Sequence, residues 1–97
     1  MAANPTTQIL ALIESFPCLK KKLAGWSPKE FDADVFYKMM DGWSHGEFLC
    51  GVFILNVWNP GHARANQWNF DAIEFAGTCD SENRRAFIQW MANPIWP

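Results

Sequence analysis

The residues with the most chemical reach in this 97-residue chain are two histidines and three cysteines. His45 and His62 flank an apolar run, residues 48–58, and a metal or acid/base pair built on them would draw on Cys50, Cys79 or Glu47. The spacing speaks against it. No HxxxH, HxH or CxxC doublet occurs, and transition-metal sites are commonly assembled from such doublets. No metal and no cofactor are therefore expected. Ser44 and His45, beside Asp41 and Glu47, supply the residue types of a nucleophile, a base and an acid. Neighbours at a helix start do not face one another as a triad must, and Ser44 suits the role of helix cap better. No catalytic residue is assigned, and the reading points away from an enzyme.

Cys18, Cys50 and Cys79 are odd in number and widely spaced, unlike the disulfide framework of a small secreted domain. They read as three reduced thiols, Cys50 being a small buried one inside the apolar run. The first five residues lack the basic-then-apolar pattern of a secretory leader. No apolar run approaches the ~20 residues that cross a bilayer. A soluble, cytoplasmic protein with no membrane partner is expected. Eight Lys and Arg against ten Asp and Glu leave a net charge of −2, which argues against a strong nucleic-acid binder and falls short of an acidic DNA mimic. Lys20, Lys21 and Lys22 read as a solvated helix face. Arg84 and Arg85, with Arg64, lack the interleaved exposed aromatics of a single-strand platform.

Aromatic residues make up 15% of the chain, six of them Trp. Trp58, Trp68, Trp90 and Trp96 crowd the second half among many Asn residues. They read first as a Trp-rich core whose indole N–H groups find Asn or backbone acceptors. In the alternative, one or two of them line a groove or interface, where Trp and Met are enriched. Met39, Met40 and Trp43 would extend such a surface. The candidate binding residues are Met39, Met40, Trp43, His45, Arg64 and Trp68.

The elements that must position these residues are helices. Asn4 or Thr6 caps a first helix with Ile9, Leu12, Ile13 and Phe16 on one face, which Pro17 stops or kinks. A continuation over residues 18–24 ends at Gly25. Ser27, Pro28 and Glu30 form a capping-box start for a helix that turns Phe31, Val35, Phe36, Met39 and Met40 inward and closes at Gly42. Ser44 and Glu47 repeat that spacing and open the helix over residues 48–58, apolar on nearly every side and therefore expected at the centre. Gly51 in its middle implies a close helix crossing. Asn59, Pro60 and Gly61 end it, and residues 62–69 read as a polar loop. Asn69 caps a short helix through Ala76 that buries Phe70 and Ile73. Asp80 caps the last helix, residues 81–92, with Ala86, Phe87, Trp90 and Met91 inward. Asn93 and Pro94 end it, and Trp96 is expected to fold back near Trp90. The expected fold is all-α, a single domain over residues 1–97 with five or six short helices around a central apolar one.

The apolar helix ending in Leu55, Asn56, Val57, Trp58 and Asn59, with Arg84 to Trp90 and the closing Pro94, Ile95, Trp96 and Pro97, resembles small bacterial helical proteins of mobile elements such as integron cassettes. The resemblance covers roughly the second half of the chain, implies a bacterial cytosolic origin, and carries no activity.

Hydrophobic residues at 49% against charged residues at 19% exceed what so small a core hides, and exposed apolar patches tend to be interaction sites. The expected function is a module that binds a protein partner or a second copy of itself through an aromatic and Met surface. The rival is a small-molecule or enzymatic pocket between the 48–58 helix and the Trp68–Trp90 region, with His45, Glu47 or Arg64 at its mouth. A flat apolar patch favours the first; a deep cavity with convergent polar groups favours the second.

Overall fold

The computed structural model describes residues 4–97. Seven helices follow one another: α1 (Pro5–Ser15), α2 (Pro17–Lys22), α3 (Ala33–Met39), α4 (His45–Trp58), α5 (Pro60–Ala65), α6 (Ala72–Thr78) and α7 (Ser81–Ala92). No strand occurs among the described residues, and the body measures 37 × 28 × 27 Å. The all-helical, compact fold agrees with the sequence. The helix count is higher than the expected five or six.

Most helix starts follow the local chemistry. The Asn4 side chain accepts from the Thr7 amide at 2.8 Å, and Pro5 occupies the first turn, where its missing N–H costs nothing. Ile9, Leu12, Ile13 and Phe16 are all buried. Pro17 separates α1 from α2, and Gly25 takes the left-handed φ of +84°. At α4 both halves of the capping box are made: the Glu47 amide donates to Ser44 Oγ at 3.3 Å, and the Ser44 amide donates to Glu47 Oε1 at 2.9 Å.

Four starts or faces differ from expectation. The helix expected at Ser27 begins instead at Ala33, because Asp32 accepts from the amides of Asp34 and Val35 at 2.9 and 3.1 Å. The segment before it is non-helical, with the Phe31 amide donating to Thr6 Oγ1 at 3.0 Å. Val35 consequently faces solvent while Phe31, Phe36 and Met40 are buried. Residues 60–65 form α5 rather than a loop. Asn59 ends α4 and also caps α5 by accepting from the His62 amide at 3.0 Å, and Pro60 fits the first helical position. Asp71, not Asn69, caps α6, so that helix runs through Gly77 and leaves Ile73 84% exposed. On α7 the Asp80 cap and the bounds agree, but Met91 is exposed.

Helix α4 is buried from Leu49 through Leu55 and again at Val57, and it packs against α1, α2, α3, α5 and α6. Gly51 is a point of close approach, although what crosses there is a side chain and a ring. A Cβ at this position would lie 2.7 Å from Met40 Cε and 3.2 Å from Trp43 Cζ3. Phe31 and Trp58 meet at 4.8 Å, and Phe36 and Trp43 at 6.0 Å edge to face.

The cap at α3 is directly testable. Asp32→Ala removes two bonds to orphan amides and should cost ~1 kcal/mol, lowering the melting temperature by about 4–8 °C. Ser27→Ala should leave it within about 0.5 kcal/mol. Thermal denaturation followed by circular dichroism distinguishes them, and the reverse order would place the helix start at Ser27.

Candidate functional site

A groove of about 330 Å³ opens between α4 and α7. Its floor is Phe53 and Val57 of α4, its walls are Phe70, Phe87 and Trp90, and Trp96 stands at its edge. Phe53 organises it. Its ring lies 5.3 Å from Phe70, 5.2 Å from Phe87 and 5.1 Å from Trp90, the last two edge to face, the arrangement that aromatic quadrupoles favour. The Trp90 indole N–H donates to the Ile95 carbonyl at 3.1 Å and so draws the C-terminal segment onto α7. Trp96 then rests edge to face on Trp90 at 5.1 Å, yet stays 62% exposed. The expectation that it folds back near Trp90 agrees with this contact, but Trp96 is not covered. On α7, Ile88 and Met91 stand one turn apart, 57% and 51% exposed.

The groove holds little polar chemistry. Asn56 lines it, and both hydrogens of its amide are engaged, with the carbonyls of Val52 at 2.9 Å and Trp68 at 2.8 Å. None of His45, Glu47 or Arg64 lines it. The other clefts of the surface are open too, one beside Leu23 and Trp26 of about 350 Å³.

The residues singled out from sequence do not converge on one place. Met40 is 1% exposed and lies over Gly51 as a core residue, and the half-buried Trp43 packs against that core. Met39 is half-buried. His45 is exposed, its Nε2 3.0 Å from Glu74 Oε1. Arg64 is exposed on α5. Trp68 is buried, stacked on Tyr37 at 4.7 Å and met edge-on by His62 at 5.3 Å. His62 in turn reaches Asp34 at 3.1 Å. These histidine contacts lie at the surface, where an ion pair contributes little. Among the described residues no group of three or more His, Cys, Asp and Glu is arranged to hold a metal ion.

Sequence reasoning missed Phe53 and Phe87 as groove-lining residues and Ile88 and Met91 as exposed ones. The signal was present on α7, whose apolar positions span a wider arc than one neighbouring helix covers. Comparisons with protein-family models, with curated proteins and with solved structures found no match.

Two carboxylates carry shifts that bear on stability. The Ser44 amide and hydroxyl, with Lys22 at 3.6 Å, hold Glu47 below the usual carboxylate range. The Asn83 amide and side chain do the same for Asp80. Folded, both groups bind a proton less readily than unfolded, so their contribution is complete above the unfolded pKa of about 4 and is lost as pH falls through the lower folded values. The melting temperature should be level above about pH 5 and fall below about pH 4. Glu47→Gln combined with Asp80→Asn should flatten that fall. An unchanged acid limb in the double variant would assign the loss to other groups.

Proposed function

We propose that this protein is a non-enzymatic interaction module, built around α4 as its central helix, that pairs with a second copy of itself through the aromatic groove and its rim. The observation that carries this reading is Trp96, held against Trp90 and still 62% exposed at the edge of an apolar groove. Ile88 and Met91 add further apolar surface on α7. Trp and Met are enriched at protein interfaces, and a Trp seated in an apolar pocket is the commonest kind of energetic anchor. A two-fold dimer needs a self-complementary patch. A concave aromatic floor with a projecting Trp beside it meets that need, since the ring of one copy can enter the groove of the other. The rival small-molecule reading has little behind it, because apart from the indoles of Trp90 and Trp96 the groove's polar side chain is Asn56, whose amide hydrogens are already engaged. Three thiols without a disulfide suit a reducing cytoplasm, and the resemblance to proteins of bacterial mobile elements supports a bacterial origin.

Sedimentation equilibrium over a concentration series is the test. A reversible dimer is expected, and Trp96→Ala with Met91→Ser should weaken it at least about tenfold, equivalent to ~1.4 kcal/mol. The double variant should keep its helical content and most of its melting temperature, since both side chains are more than half exposed. A monomer at every concentration, or a variant that dimerises as well as the parent, would overturn the reading.

A further inference from the structure

Cys50 and Cys79 are 29 positions apart in the chain and neighbours in the fold. Cys50 lies in the second turn of α4, and Cys79 ends α6. Their sulfurs are 3.9 Å apart, with Cys50 fully buried and Cys79 6% exposed. The hydrogen bonds have a direction. Cys79 Sγ donates to the carbonyl of Gly46, one turn before Cys50, at 3.5 Å, which leaves its lone pairs to accept the Cys50 thiol proton. The Arg84 guanidinium donates to the Cys79 carbonyl at 2.6 Å and ties the end of α6 to α7. A disulfide needs about 2.05 Å between its sulfurs, so closure asks for an approach of about 2 Å between two thiols already in contact.

Helix α6 is the element able to make that approach. Phe75 is its one buried residue, and from residue 71 to residue 80 only Phe75 and Cys79 are buried. Helix α4, by contrast, is buried from Leu49 through Leu55. Elements with few buried apolar contacts open locally at a much lower free energy than the core does. Opening of α6 therefore brings Cys79 to solvent while Cys50 keeps its place. Burial pushes the Cys79 thiol up, with the Cys50 hydrogen bond and Arg84 opposing. A thiol reacts as its thiolate, so exchange at Cys79 waits for the opening that relieves its burial. The order of events follows from the geometry: Cys79 is reached first, and Cys50 second.

We propose that Cys50 and Cys79 are a redox-sensitive staple, closed by exchange with a small disulfide of the glutathione kind, that locks α6 onto α4. In the first step Cys79 gives its proton to water, and the thiolate attacks one sulfur of the small disulfide. A mixed disulfide forms on Cys79, the S–S bond of the small disulfide breaks, and the departing thiolate takes up a proton. Cys50 then gives up its proton and attacks the Cys79 sulfur. The Cys50–Cys79 bond forms, the mixed disulfide breaks, and a second small thiolate leaves and is protonated. Two protein thiols and one small disulfide give one protein disulfide and two small thiols. The protein is oxidised by two electrons, and the small disulfide is reduced by the same two. An excess of small thiol runs the sequence backwards. The bridge restrains the unfolded chain across the 29 positions between the cysteines as well as fixing the most loosely held helix.

The test uses the full chain carrying Cys18→Ser, which leaves Cys50 and Cys79 as its thiols. It is equilibrated with graded ratios of reduced and oxidised glutathione, quenched with acid, and mapped by mass spectrometry. Both thiols should be lost together with no glutathione retained, and dithiothreitol should restore them. The equilibrium constant for bridge formation should be at least about tenfold higher in the folded chain than in denaturant. The oxidised form should melt at least about 5 °C above the reduced one. Cys50→Ser in the same background should hold one glutathione on Cys79, the intermediate with nothing to resolve it. Wild type should yield the same Cys50–Cys79 peptide pair, which keeps the proposal testable if a variant does not fold. Two free thiols at every ratio, glutathione held on each cysteine without a bridge, an equilibrium constant no higher folded than denatured, or a wild-type bridge between Cys18 and Cys50 would each overturn it.

Discussion

Helix α4 contributes an unbroken buried stretch from Leu49 to Leu55, and a helix that is apolar around most of its circumference must be taken out of water on more than one side. Each neighbour is placed by the strip of α4 that it covers. Positions 47, 51, 54 and 58 fall on one strip at helical spacing. Lys22 reaches Glu47, Met40 and Trp43 lie over Gly51, and Phe31 meets Trp58. Positions 46, 50, 53 and 57 make a second strip. Cys79 covers its start, and Phe70, Phe87 and Trp90 surround Phe53 further along. The Cys50–Cys79 contact and the aromatic groove are therefore successive parts of the same strip.

Short helices cannot cover such a strip with aliphatic side chains alone. Burying a Phe or Trp removes 150–250 Å² from water, and in a chain this small the fraction of surface buried is low. Aromatic contacts at 4.7 to 6.3 Å form three separate groups, around Trp26 and Phe36, around Tyr37 and Trp68, and around Phe53, the last reaching the exposed Trp96 through Trp90. The same economy leaves a remainder. Helix α7 has covered neighbours along Asn83 and Ala86, while Ile88 and Met91, around the arc, are left at the surface. The apolar surface left on α7 is thus the part of the apolar supply that the core does not absorb.

Much of the electrostatics is organised around helix ends. Asp32, Asp71, Asp80 and the Ser44–Glu47 pair all hold backbone amides. His45 and His62 make surface contacts with Glu74 and Asp34.

What the sequence alone determined is whatever depends on residues within about four positions of one another. The all-helical fold, the caps at Asn4, Ser44 and Asp80, the left-handed turn at Gly25 and the inward face of α1 are of this kind, because a cap or an apolar stripe is satisfied inside one helix turn. The start of α3 was not, since Ser27 and Asp32 are both competent caps and a distant bond, from the Phe31 amide to Thr6, accompanies the choice of Asp32. Helix α5 was hidden because Asn59 ends one helix and caps the next, with Pro60 as its first residue. The exposure of Ile73 and Met91 followed from which neighbours reach α6 and α7, which periodicity does not encode. The cysteines show the limit most plainly. Cys50 and Cys79 read as unrelated thiols along the chain, and only the docking of α6 against α4 brings their sulfurs to 3.9 Å, because contact between residues so far apart is set by packing and leaves no periodic trace.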